Sequence, residues 1–365
     1  MSKPKVLHIS TAKTWRGGEQ QIAYLMEELR KKDVEQYAFC TANGAFLEFC
    51  QKNNFEAQAF KKGFSANPLV AQKLSKTVDK WGINIIHCHD SHAHTFAYMA
   101  ARFFGVKTPI IVSRRVDFPI KNTKRSHRKY RHPSIKRILC VSDQIKAIVQ
   151  KDIPDKGHIQ TVYSGIDLDK FKDQSEDLLR KEYNISAQTP VIVNVGALAD
   201  HKDHITFLET IHLIQKQVPE LKAFIIGKDQ GEQRAILDRI KELKLDHLVH
   251  LTGFRTDIPK ILPHADLFLF TSKTEGLGTS IIDAFASKIP VVATPAGGIP
   301  ELVIHEQTGL LGKIKDPENL AMLALKVLND KSLAADLVKG ANKHAQKFSK
   351  EQTAYNTLEH YKDLL

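Results

Sequence analysis

Sulfur, long apolar stretches and low-complexity sequence are all scarce in this chain. Its 365 residues include four cysteines, Cys40, Cys50, Cys88 and Cys140, with no Cys-x-x-Cys pair among them. All four lie in or beside apolar runs, which excludes a disulfide scaffold and reads as reduced, buried thiols. No apolar run approaches the ~20 residues that a membrane-spanning helix needs. The N-terminal stretch Met1-Ser-Lys-Pro-Lys-Val-Leu-His-Ile-Ser10 enters a strand directly and carries no signal-peptide core. From these features a cytoplasmic chain is expected. After the first strand there is no Gly-x-Gly-x-x-Gly followed by an acid about 20 residues on, which counts against NAD binding.

Acidic residues are scarce in one half only. The net charge is +12, and residues 1–170 hold 29 Lys and Arg against 15 Asp and Glu, whereas the remainder is close to neutral. The excess peaks in Lys121–Arg137, which has eight Lys and Arg, two His and no acid. Such a run is a solvated face, a contact for an anionic membrane surface, or a site for a phosphorylated acceptor, and the candidates within it are Lys124, Arg125, Arg128 and Lys129. Nucleic acid is not expected, because Tyr130 is the run's one aromatic.

What is present is alternation. Apolar strands at Lys5–Ser10, Gln36–Thr41, Ile83–Cys88, Pro109–Ser113 and Arg137–Val141 are separated by helical segments at 20–31, 67–81, 93–104 and 142–150, the last with Ser142 as its N-cap. A second series follows, with strands at 190–196, 221–226, 248–251, 265–272 and 290–294 and a helix at 205–217. Two such series make two doubly wound parallel α/β sheets, of which the polar segment 172–189 is the expected connection. At 365 residues the chain is long enough for two domains.

The densest information lies in Thr271-Ser-Lys-Thr-Glu275-Gly-Leu-Gly278-Thr-Ser-Ile-Ile-Asp283 and Pro295-Ala-Gly297-Gly298-Ile-Pro300-Glu301. In open α/β sheets, ligands bind beyond the carboxyl ends of strands, where these glycine turns fall. Glycine lets backbone N–H groups approach an anion, and a helix N-terminus adds roughly half a positive charge. Acidic side chains beside such an anion site need another partner, and paired sugar hydroxyls suit a carboxylate, which only accepts. The pattern points to a nucleotide sugar.

This segment resembles the signature of family 4 retaining glycosyltransferases of the GT-B fold, Glu-x7-Glu followed by Gly-x-Pro-Val-Val. In that family the first acid contacts the donor sugar and the second the ribose diol, so the resemblance assigns these roles to Glu275 and Asp283; the second acid here is Asp, one methylene shorter. It also implies two Rossmann-like domains facing across a cleft: 1–168 for the acceptor, 169–346 for the donor, and a C-terminal helix at 347–365 that packs back on the first. Gly17-Gly18-Glu19 resembles the family's Gly-Gly-x-Glu loop, whose backbone approaches the donor diphosphate. Tyr163-Ser-Gly-Ile-Asp167 resembles the turn that ends the first domain. Gly196-Ala-Leu-Ala-Asp-His-Lys202 resembles Gly-Arg-Leu-x-x-x-Lys, with Lys202 present and Ala197 in place of the phosphate-binding Arg; His201 or Arg16 is the expected substitute. The donor set is completed by Gly276, Leu277, Gly278 and Thr279.

In the first domain, Arg115 stands where many relatives carry a histidine. The pair Arg114 and Arg115 suits a bidentate anion contact or a salt bridge with Asp117. His87 and His89 resemble the family's His-x-His, with His89 a candidate substrate contact and His92 and His94 expected at the surface. The acceptor is expected to be read by 60–74 and 116–137. No cofactor and no metal are expected, the nucleotide sugar being a co-substrate. The implied activity is retaining transfer from a UDP- or GDP-linked sugar to a glycan or lipid-linked acceptor in cell-envelope polysaccharide or lipopolysaccharide synthesis, in the cytoplasm or peripherally at the inner membrane face. The alternatives are a non-catalytic nucleotide-sugar-binding protein and a GT-B-like epimerase.

Overall fold

The computed structural model describes residues 3–64, 66–154, 157–172 and 177–365. It divides into two compact units, Met1–Gly165 with Lys350–Leu365, and Ile166–Ser349.

The first unit runs β1 (Lys5–Ser10), α1 (Gly17–Arg30), β2 (Glu35–Thr41), α2 (Ala45–Lys52), β3 (Glu56–Phe60), α3 (Pro68–Trp81) and β4 (Ile85–Cys88). It continues through α4 (Ser91–Phe103), β5 (Ile110–Arg114), α5 (Lys124–Tyr130), β6 (Ile135–Cys140), α6 (Asp143–Asp152) and β7 (Ile159–Thr161). Its seven strands lie in the order β3-β2-β1-β4-β5-β6-β7, and every pairing is parallel. Parallel strands require crossovers, which the helices supply. The order reverses direction between β1 and β4, so the loops after these two strands splay apart there.

Side chains of β1 and β4 alternate between faces. Val6 and Ile85 join Leu25 and Leu29 of α1 in one buried cluster, and His8 and His87 follow two residues later on the same face, paired in register. On β2, Ala38 and Cys40 pack with Ile22 and Met26 of α1 and with Phe46 and Cys50 of α2. All four cysteines are free and buried.

The second unit runs α7 (Leu178–Glu182), β8 (Val191–Val195), α8 (His204–Ile214), β9 (Lys222–Ile226), α9 (Gln233–Glu242), β10 (Val249–Gly253), α10 (Ile258–Ile261) and β11 (Leu267–Phe270). Then come α11 (Thr279–Ala286), β12 (Val291–Ala293), α12 (Ile299–Leu302), β13 (Leu310–Leu311), α13 (Pro317–Asn329) and α14 (Lys331–Ala345). The sheet order is β10-β9-β8-β11-β12-β13, again parallel, with its reversal between β8 and β11. Strands β11 and β12 are apolar runs buried on both faces, and β8 is nearly so.

The last helix, α15 (Lys350–Lys362), belongs to the first unit. Ala354, Leu358 and Tyr361 enter the cluster of Val6, Ile85 and Ile111, and Thr353 Oγ1 donates to the Tyr163 carbonyl at 2.8 Å.

The polar segment 172–189 is not a connector between the units, which change over at Gly165 and Ile166. Its residues 173–176 and Ser65 of the 60–74 stretch lie outside the described residues. The rest packs on the second unit: Arg180 donates to the carbonyls of Ser186 and Thr189 and pairs with Asp266. Polar composition marked exposure there, while the arginine supplied an anchor.

Candidate active site

In the second unit the candidate residues gather beyond β8 and β11, at the reversal of strand order. The chain leaving β8 passes Gly196 and closes a tight turn at Asp200–Lys202; the chain leaving β11 passes Ser272 to Gly278. Lys202 Nζ forms a close ion pair with Glu275 Oε1, and Ser272 Oγ donates to the same oxygen at 2.9 Å. The two side chains are 15% and 11% exposed. The Lys202 ammonium also lies 4.9 Å from the centre of the Phe270 ring.

Backbone contacts fix the two loops to one another. Lys273 N–H donates to the His201 carbonyl at 2.8 Å, Thr271 Oγ1 to the Asp203 carbonyl at 3.0 Å, and Lys273 Nζ pairs with Asp200 at 2.7 Å. Glu275 is backed by Gly297, whose φ of +54° is left-handed and whose added Cβ would sit 1.8 Å from the Glu275 carbonyl oxygen. Only glycine meets both conditions.

Gly276, Leu277 and Gly278 lead into α11, which starts at Thr279 after Gly278 at φ +90° and has no side-chain cap. Leu277 is buried, its side chain turned into the core. By contrast Asp203 caps α8 and Ser142 caps α6. An uncapped N-terminus leaves first-turn N–H groups available to an anion. Asp283, one helical turn further along, is partly buried, and burial pushes its pKa up to about 7 with Lys170 opposing. His201 is the exposed middle residue of the turn, and Ala197 precedes it.

The first unit has a matching arrangement beyond β1 and β4. Gly17 and Gly18 open α1, which also has no side-chain cap, and neither has any atom within 4 Å of where a Cβ would stand. Asp90 ties the two loops together. It accepts from Thr11 N–H at 2.6 Å and Thr11 Oγ1 at 2.8 Å while capping α4 through His92 and Ala93 N–H. Glu19 is buried, and burial raises its pKa. Arg115 donates from Nη1 to the His89 carbonyl at 3.2 Å; burial lowers its pKa to about 10, and Glu19 and Asp90 pull it back. Arg115 therefore lies in the field of two carboxylates of its own unit.

Several expected contacts are placed elsewhere. Arg114 is 7% exposed and its guanidinium turns inward, donating to the Phe118 carbonyl and the Tyr130 hydroxyl. The adjacent arginines thus form no joint anion clamp. Lys129 also turns inward, onto Ser91 O at 3.2 Å and Thr95 Oγ1 at 3.3 Å, and burial lowers its pKa to about 8. His94, expected at the surface, is buried with its ring edge-on to Tyr130 at 4.7 Å. All three follow from α5 folding against α4, a contact that local charge density does not signal. Lys124, Arg125 and Arg128 remain exposed.

Among the described residues His8, His87 and His89 offer nitrogen atoms all within 4.8 Å of one another, a spacing a metal ion can use. Five of the six nitrogens already have partners. His8 bonds His89 and Gln36, and His87 bonds Tyr361 and Ser113. The cluster is a hydrogen-bonded network and not a vacant ligand set. His8 was not among the sequence candidates; its register opposite His87 is the signal that only strand pairing reveals.

Residues 15–170 match the family described as Glycosyltransferase Family 4, and residues 175–344 match Glycosyl transferases group 1. The chain belongs to glycosyltransferase family 4. This glycosyltransferase is 25% identical over 304 residues to N-acetyl-alpha-D-glucosaminyl L-malate synthase of Bacillus anthracis, covering 81% of this chain and 79% of that one. It is 24% identical over 349 residues to UDP-Gal:alpha-D-GlcNAc-diphosphoundecaprenol alpha-1,3-galactosyltransferase of Escherichia coli, covering 91% and 90%. HepE of Anabaena, solved in complex with UDP and glucose, superposes with a TM-score of 0.88 at 20% identity over 99% of this chain and 100% of that one. The fold of the glycosyltransferase is GT-B, with two Rossmann-like parallel sheets. No helix among the described residues is long and apolar enough to cross a membrane.

Proposed function

We propose that this glycosyltransferase moves a sugar from a UDP- or GDP-linked donor to a hydroxyl of a glycan or lipid-linked acceptor, with retention at the anomeric carbon and without a metal. The observation that carries this reading is the Lys202–Glu275 pair, held at the reversal of the second sheet beside the uncapped start of α11. A cation, a carboxylate and free backbone donors on rigid loops are what a sugar diphosphate needs.

The donor diphosphate takes Glu275's place on Lys202. Lys202 then neutralises charge growing on the leaving phosphate, with help from the first turn of α11. Glu275, released, accepts hydrogen bonds from the donor sugar, and ionised Asp283 accepts from the ribose diol. The bond from the anomeric carbon to phosphate oxygen breaks as the acceptor oxygen bonds to that carbon from the same face. The hydroxyl proton passes to the departing phosphate oxygen, so no enzymic nucleophile is required. His89 and Arg115 contact the acceptor.

The printed names of the relatives support the substrate classes. The Escherichia coli relative uses a UDP sugar and a diphosphoundecaprenol-linked acceptor, and HepE binds UDP. A lipid-linked acceptor fits the exposed Lys124, Arg125 and Arg128, which suit an anionic inner membrane face and a role in cell-envelope polysaccharide or lipopolysaccharide synthesis. Ala197 in place of a phosphate-binding arginine favours a second reading, a nucleotide-sugar-binding protein without turnover.

The test incubates purified protein with UDP- and GDP-sugars and a polyprenyl-diphosphate-linked sugar acceptor, and reads the product's anomeric configuration by NMR. A product with the donor's configuration, formed in chelator, supports the proposal. An inverted product or strict metal dependence contradicts the mechanism, and donor binding without turnover supports the second reading.

A further inference from the structure

We propose that Gln36 is a positioning residue which, through His8, locks His89 in one tautomer and so presents His89 Nδ1 as a standing acceptor for the acceptor sugar's hydroxyl. The inference rests on the transferase reading for the identity of that hydroxyl, but the lock itself follows from hydrogen-bond chemistry alone.

The chain of bonds starts at the Met26 carbonyl in α1. A carbonyl only accepts, so the Gln36 amide must turn its nitrogen toward it, and Nε2 lies 3.0 Å away. The amide oxygen then faces His8 Nε2 at 3.2 Å. That oxygen also only accepts, so His8 carries its proton on Nε2. A neutral imidazole has one proton, which leaves His8 Nδ1 bare. His89 Nε2 is 3.0 Å from it and must donate. The remaining nitrogen, His89 Nδ1, is therefore a lone-pair acceptor, buried and without a hydrogen-bond partner.

The imidazoles are neutral because burial pushes His8 down to about 4 and His87 and His89 well below the ordinary range. A buried acceptor left unpaired is costly and calls for an explanation, and a bound ligand is one. The position supports it. His89 follows β4 at the carboxyl end of the sheet, beside the strand reversal, and Arg115 fixes its backbone through the carbonyl. Gln36 lies on β2, 53 positions earlier in the sequence, and its side chain comes to His8 through strand pairing.

The experiment is nitrogen NMR on full-length protein labelled with 15N-histidine, with His89 signals assigned by their loss in His89→Gln. The expected spectrum has His89 Nε2 protonated and Nδ1 bare. Gln36→Leu removes the acceptor facing His8, so His89 should divide between tautomers and kcat/KM for the acceptor should fall about tenfold, the value of one hydrogen bond, with donor KM unchanged. Gln36→Glu keeps an oxygen acceptor facing His8 Nε2 and should restore the tautomer and the rate. A proton on His89 Nδ1 in the unaltered protein, or an unchanged tautomer in Gln36→Leu, would overturn the proposal. A nucleotide-sugar thermal shift keeps the two readings separate, since its absence refutes the transferase site while a wrong tautomer refutes only the relay.

Discussion

Lys202 and Glu275 are held as one ion pair, so neither changes without leaving the other's charge unmatched. Lys202→Ala strands a mostly buried carboxylate and should destabilise the second unit by about 1–3 kcal/mol, read in urea denaturation. A Lys202→Met, Glu275→Gln double variant should recover most of that loss, the non-additivity expected of contacting residues. Asp283 brings a pH dependence. Its folded pKa of about 7 lies above the ordinary 3.8, so the folded form holds the proton more tightly. The stability this group contributes is present below about pH 4 and is lost as pH rises towards 7. Asp283→Asn should match the unaltered protein near pH 4 and exceed it in melting temperature at pH 8. If ionised Asp283 accepts the ribose diol, donor affinity should rise with pH through 7, and the Asn variant should be flat. Lys202 and Glu275 were legible because short motifs bracket them. Arg114, Lys129 and His94 were misread because the packing of α5 against α4 leaves no mark in local composition. Asp90 as the link between two loops and Gln36 as His8's partner depend on strand order, which no window of sequence contains.

The central strands of both sheets were legible as apolar runs, with boundaries shifted by at most two residues. The elements missed in the first unit were the edge strands β3 and β7 and the short helices α2 and α5. Strand β3, Glu56-Ala-Gln-Ala-Phe60, is largely half-buried, and Glu56 and Gln58 interrupt its small apolar residues, so it carries no buried-strand pattern. Strand β7 has three residues and β13 two, too few for periodicity. Glycine turns give the sharpest tests at this scale. Gly297→Ala must place a Cβ 1.8 Å from the Glu275 carbonyl at positive φ, and should cost about 3 kcal/mol or more or prevent folding, checked by soluble yield and thermal melting. Gly18→Ala meets nothing within 4 Å and lies in the first turn of α1, so stability should hold or rise by about 0.5–1 kcal/mol. If that backbone approaches the donor diphosphate, nucleotide-sugar affinity should nevertheless fall. Stability retained with affinity lost is the signature of a binding glycine; both unchanged would remove Gly17 and Gly18 from the site.

The whole chain carries a net charge of +12, the sum of +14 in residues 1–170 and −2 in the remainder. On the first unit Lys124, Arg125 and Arg128 are exposed, as is Phe118, which is 55% exposed with the Arg114 guanidinium 5.0 Å from its ring centre. Replacing the three cations with Gln should weaken co-sedimentation with anionic liposomes, at about 1 kcal/mol per charge, and leave neutral liposomes unaffected. Equal binding to both would remove the membrane from the account.

The central claim is that the loops after β8 and β11 hold a nucleotide sugar through Lys202 and Glu275. Thermal melting of the unaltered protein, Lys202→Ala and Glu275→Ala against UDP- and GDP-sugars tests it most directly. Donor at 100 times its dissociation constant should stabilise the unaltered protein by about 2.7 kcal/mol, a shift of several degrees, with one nucleotide class. The shift should be largely lost in Lys202→Ala, and in Glu275→Ala it should persist for the free nucleotide but no longer distinguish one sugar from another. No shift with any nucleotide sugar in folded protein, or a shift indifferent to Lys202, would contradict the claim.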